Sequence, residues 1–158
     1  MRPMQRLVLA VVALAGVVGI PTTGRAQTAA ETRDSLTGIR AVGVSVRMPT
    51  SAAIQPVWVQ TRAKLQAGGI QLADAPAGLR ISGQVVKSDS PGVAAFLVEV
   101  ELTQAVDVRA NGRRLLVPTW SRRELGVADE SRVIADIQTT AMALLDEFVK
   151  AWQYANPR

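Results

Sequence analysis

From Ala95 to Arg109 the chain alternates. Phe96, Val98, Val100, Leu102, Val106 and Val108 fall on one side of an extended strand, with Glu99, Glu101, Thr103 and Asp107 on the other. Only Gln104 interrupts the apolar row, so one face is core and the other is wetted. The strand runs into Asn111-Gly112, which favours a two-residue hairpin turn because both central residues of that turn need positive φ. With Ala110 opposing Arg113, the returning strand sets Leu115 beside Val108 and Val117 beside Val106. Pro118 then interrupts it. One extra residue there would turn Trp120 inward and set Arg123 opposite Glu101, so a bulge at Pro118 is the expectation.

The same two-residue period occurs twice earlier. Val42, Val44, Val46 and Met48 alternate with small or polar residues up to Pro49, and Leu79, Ile81, Gly83 and Val85 alternate with Arg80, Ser82 and Gln84. Turn chemistry at Ser88-Asp89-Ser90-Pro91-Gly92 predicts antiparallel pairing of the second of these with the long strand. Helical spacing replaces alternation in two places. Ile54, Val57, Trp58, Thr61 and Leu65 predict a helix opening at Pro56 and closing at Gly68-Gly69. Val133, Ile134, Ile137, Ala141, Leu144, Leu145, Phe148 and Trp152 predict a long amphipathic helix, capped near Asp129 and stopped by Asn156-Pro157. Ile70 to Ala73 reads as a short extended piece, and residues 27–37 as a mobile leader. The order β-α-β-β-β-α, with every strand apolar on one face, predicts a single α+β domain over residues 38–157. Its architecture is a two-layer sandwich: a four-stranded, mostly antiparallel sheet with two helices on one face.

The first 26 residues do not belong to that domain. Arg2 and Arg6 precede an apolar run from Leu7 to Ile20, and Thr23-Gly24-Arg25-Ala26 supplies a small-residue cleavage site. The run falls short of the roughly 20 residues a spanning helix needs, so it reads as a signal peptide and places the protein in the periplasm or outside the cell. No Cys follows it for lipid attachment.

Removal of that segment changes the charge. The whole chain carries +5, but Arg2, Arg6 and Arg25 would leave with it, and fifteen basic against thirteen acidic side chains leave +2. Nucleic acid is not implied. The chain has neither Cys nor His, which removes the usual zinc and copper ligands and the catalytic systems built on imidazole or thiolate. No cofactor is expected.

Two constellations carry candidate chemistry. Arg109, Arg113, Arg114, Arg122 and Arg123 concentrate in one hairpin and suit the phosphates or carboxylates of an anionic envelope component or a protein partner. The plainer reading is a soluble edge strand protected from aggregation by its charges. Glu99 and Glu101 lie about 7 Å apart on one strand face, a spacing at which paired carboxylates can hydrolyse glycosidic bonds. The plainer reading there is a solvated face with cross-strand arginines.

The order of elements resembles small bacterial envelope domains: the lipopolysaccharide-assembly lipoprotein, the amino-terminal domain of the Tol-system propeller protein, and curli-secretion lipoproteins. It is also similar to exported proteins that end in a long helix with Phe148-Val149, Trp152 and Ala155-Asn156-Pro157. The resemblance is in keeping with a non-enzymatic exported protein that binds or helps assemble an envelope component; the alternative, which rests on the spacing of Glu99 and Glu101 alone, is a small hydrolase. The absent lipidation Cys departs from the lipoproteins.

Overall fold

The structure, a computed structural model, describes residues 29–86 and 91–157. The expected signal peptide, with its cleavage site, and the Ser88-Asp89-Ser90 turn lie outside the described residues. The elements run α1 (Ala29–Leu36), β1 (Ala41–Arg47), α2 (Ser51–Gly68), β2 (Gln71–Leu72), β3 (Gly78–Val86), β4 (Val93–Val108), β5 (Arg113–Asp129) and α3 (Val133–Ala155). The sheet has five strands in the order β2-β1-β3-β4-β5. It is mixed, where four mostly antiparallel strands were expected: β1 runs parallel to both β2 and β3, and β3, β4 and β5 run antiparallel. The cause is α2, which carries the chain back across the sheet, as a parallel connection requires.

The residues expected as a mobile leader form a third helix, α1. Leu36 is completely buried, and Asn156 ties the end of α1 to the end of α3. Asn156 Oδ1 accepts from the Gly38 N–H at 2.8 Å, and its Nδ2 donates to the carbonyls of Leu36 at 3.0 Å and Trp152 at 2.9 Å. Helix α2 begins five residues before Pro56, which sits inside it, and it buries Ala53, Val57, Thr61, Leu65 and Gly68. Trp58, expected in the core, is only half-buried. Helix α3 starts at Val133 with no side-chain cap, while Asp129 remains the last residue of β5.

Along β4 the alternation is as read from Phe96 to Leu102, where every second residue is buried. Val106, expected in the same row, is 40% exposed. The apolar face of β3, β4 and β5 and the buried stripe of α3 join one cluster, in which Trp120 meets Phe148 edge to face at 5.1 Å. Close contact is purchased with glycine: a Cβ on Gly83 would sit 2.5 Å from Ile137 Cγ2, and one on Gly68 2.7 Å from Val149 Cγ1.

The β4–β5 hairpin differs from the expected one by two residues. Val108 pairs with Arg113 and Val106 with Leu115. Residues 109–112 form a four-residue connection, because Gly112 alone takes a positive φ, of 66°, and Asn111 does not. The Gly112 N–H closes on the Val108 carbonyl at 2.8 Å, and Asn111 Oδ1 accepts from the Arg113 N–H at 3.1 Å. The bulge is where Pro118 placed it: Leu102 pairs with Trp120 and Thr103 with Pro118, so Thr119 is the extra residue. Trp120 is thereby buried, but the two-residue offset brings Arg123 opposite Glu99 rather than Glu101.

Candidate functional site

The strand geometry divides the five hairpin arginines. Arg109 and Arg113 stand at the tip, exposed and without an acidic partner among the described residues, and Arg114 lies 3.8 Å from Asp107 across the hairpin. Eight residues of strand put Arg122 about 25 Å from Arg114. Arg122 lies on the helix side of the sheet, 3.4 Å from Glu147 and stacked over Trp120 at 5.5 Å. Arg123 lies on the opposite face and donates to Glu99 at 2.6 Å. That hydrogen bond, reinforced by the charge of Glu99, holds the Arg123 guanidinium more firmly protonated than usual.

Glu99 and Glu101 share the outer face of the sheet, each with its own cation. Arg80 donates to Glu101 at 2.9 Å, and the Thr103 hydroxyl lies 3.3 Å from the same oxygen. The two carboxylates form the middle of a cross-strand ladder, Arg80–Glu101 and Glu99–Arg123. Neither carboxylate lines the grooves described below. Among the described residues no group of three acidic side chains converges to hold a metal ion.

A groove of about 310 Å³ lies at the foot of the hairpin, lined by Arg40, Ala75, Pro76, Gln104 and Arg114 among others. Arg40 was not a candidate in the sequence, because 74 positions separate it from Arg114 and only the pairing of β1, β3, β4 and β5 brings them together. Gln104, the residue that broke the apolar row, sits at the root of the hairpin and donates to the Ser35 carbonyl at 2.7 Å. A smaller apolar pocket of about 200 Å³ opens between α2 and the β1–β2 edge, with Val42, Val44, Leu72 and Trp58 on its walls and Arg62 over the Trp58 ring at 5.8 Å.

No helix among the described residues is long and apolar enough to cross a membrane. No known protein family and no curated protein matches the chain. Solved structures to which it is similar include a PelC dodecamer from Paraburkholderia phytofirmans, at 16% identity and a TM-score of 0.43, covering 73% of this chain and 88% of that one. They also include the minor lipoprotein of Acinetobacter baumannii, at 13% identity and a TM-score of 0.31, covering 74% and 93%. Lipoprotein GNA1162 from Neisseria meningitidis is a third, at 11% identity and a TM-score of 0.36, covering 70% and 97%.

Proposed function

We propose that the chain is an exported, non-catalytic protein of the bacterial envelope that captures an anionic component at the arginine end of its sheet. The observation that carries this reading is the convergence of Arg40 and Arg114 on one groove, directly below a tip where Arg109 and Arg113 lack acidic partners among the described residues. Guanidinium forks match the oxygens of phosphate and carboxylate groups, so a ligand bearing either would engage several of the four together. Arg122 and Arg123 belong to the fold instead, engaged by Glu147 and Glu99.

Binding to phosphatidylcholine vesicles with and without phosphatidylglycerol, and separately to alginate, tests the reading and separates the two anion sources. Replacement of Arg40, Arg109, Arg113 and Arg114 by Ser should abolish capture of whichever probe binds, while an Arg122→Ser/Arg123→Ser variant keeps it. Capture should also weaken with salt, as the Debye length shrinks to about 3 Å at 1 M. Binding that survives the fourfold change, or that fails with the Arg122 and Arg123 pair alone, would refute the assignment.

A further inference from the structure

Strand β5 is the outer edge of the sheet along its full 17 residues. Its two halves treat that exposure differently. The half nearer the tip carries two usual protections of an edge, Pro118 and the bulge at Thr119. Residues 121–129 carry no proline and no bulge. Leu125 and Val127 there are each 71% exposed, and both project onto the outer face. They continue an apolar surface across the sheet, because Leu125 pairs with Leu97, Val127 with Ala95, and Ala95 in turn with the half-exposed Val86.

The hydrogen-bonding direction of this segment is fixed. The Glu130 N–H donates to the Gly92 carbonyl at 3.1 Å, so by antiparallel alternation the even residues from Trp120 to Ala128 point their amides toward β4. Ser121, Arg123, Leu125, Val127 and Asp129 therefore point theirs outward, to no strand. A second β5 running antiparallel could satisfy them only in registers that set odd residues opposite odd ones. Among these, a two-fold axis at Gly126 sets Leu125 opposite Val127, Arg123 opposite Asp129 and, on the helix side, Arg122 opposite Glu130. A shift of two residues one way sets Arg123 against Val127, and the other way Arg122 against Arg132. The charge sequence of the segment, Arg-Arg-Glu followed by Asp-Glu, is complementary to itself in one register only.

We infer that the protein forms a two-fold dimer through β5, with residues 121–129 of two copies pairing antiparallel about Gly126 into a continuous ten-stranded sheet. The occupant is a second copy because the charges match when the strand meets itself. Arg123 is 65% exposed beyond its bond to Glu99, so its guanidinium has donors left for Asp129 of the second copy. The inference is independent of the anion-binding reading, since the tip and the groove lie at the far end of the hairpin.

Sedimentation velocity of the purified secreted protein across a dilution series tests it. The wild type should be dimeric and dissociate on dilution. Arg122→Glu/Arg123→Glu should raise the dissociation constant about tenfold or more, because four opposed charge pairs become like pairs, and Asp129→Arg/Glu130→Arg should do the same. The combined fourfold exchange should restore the dimer, a rescue that a merely structural role for these residues would not give. Leu125→Lys/Val127→Lys, which changes only exposed side chains, should be monomeric with an unchanged circular-dichroism spectrum. A tip variant, Arg109→Ser/Arg113→Ser, should dimerise as the wild type does. A wild type that stays monomeric at hundreds of micromolar, a charge exchange without rescue, or a Lys variant that still dimerises would each overturn the proposal, as would use of Leu125 and Val127 for vesicle binding by a monomer.

Discussion

Replacing Gly83 by Ala probes a close approach between the sheet and α3. The added methyl would lie 2.5 Å from Ile137 Cγ2 and 3.1 Å from Met48 Sδ, where apolar carbons rest at about 3.5–4.0 Å. About 1 Å must therefore be found. The Met48 thioether can swing aside, but Ile137 Cγ2 is a branch fixed at Cβ on a helix whose stripe is buried, so the methyl can retreat only if α3 moves. Overpacking of this kind costs about 1–3 kcal/mol. Gly78 supplies the control on the same strand: a methyl there meets nothing within 4 Å and the backbone φ is not positive, so Gly78→Ala should be neutral or stabilise by up to about 1 kcal/mol. Urea melts followed by tryptophan fluorescence, with a slope of about 1–3 kcal/mol per molar, should separate the two midpoints by roughly 1 M. The double variant sharpens the argument. Ile137→Ala alone should cost about 2–5 kcal/mol through the cavity it leaves. Combined with Gly83→Ala it should cost less than the sum of the two by about 0.5–3 kcal/mol, since the new methyl enters that space. A Gly83→Ala midpoint at or above that of Gly78→Ala, or strict additivity in the cycle, would mean that α3 does not press on β3 at this point.

Two other perturbations test how the core handles polar groups. Trp152 Nε1 donates to the buried Ile39 carbonyl at 2.7 Å, whereas Trp120 Nε1 is buried without a partner among the described residues. Trp152→Phe should therefore cost at least about 1 kcal/mol more than Trp120→Phe in the same melts, because only the former orphans an acceptor. Asn156→Ala removes three side-chain bonds, two of which tie the end of α1 to α3, and should cost about 1–3 kcal/mol and raise amide exchange in α1 ahead of the rest of the chain. Asn156→Asp, which keeps the acceptor for Gly38, should fall between wild type and Ala.

Features written into one stretch of chain were legible, and those made by distant stretches were not. The alternation from Phe96 to Leu102 and the i, i+3, i+4 stripe of α3 each name a buried face without reference to any other element. Pro118 signalled the bulge, since a residue without an N–H cannot sit in a regular ladder. Parity is conserved under a shift of two residues, so the hairpin register could be misjudged without disturbing the faces of Leu115 and Val117, while every cross-strand partner, that of Arg123 included, moved by two. Val106 shares the pattern of Val100 but not its cover, because alternation reports a face and not how far the helices extend over it. Helix α1 offers one deeply buried residue, Leu36, and a single apolar position makes no period. The parallel pairing of β1 and the meeting of Arg40 with Arg114 depend on the crossover through α2, and no local pattern encodes either.

The bulge at Thr119 also marks a border in tolerance to change. From Thr103 to Thr119 no residue is buried, so this part of the hairpin is an arm held by its own backbone ladder and by Gln104, which anchors it to Ser35 and Thr119 at its root. Substitutions along such an arm leave the packing of Trp120 against Phe148, and the core volume, untouched. Drift in the arm is therefore nearly free of folding cost. A lineage could rewrite the charges at Arg109, Arg113 and Arg114 to suit a different surface, or lengthen the loop beside Gly112, and inherit the same domain beneath it.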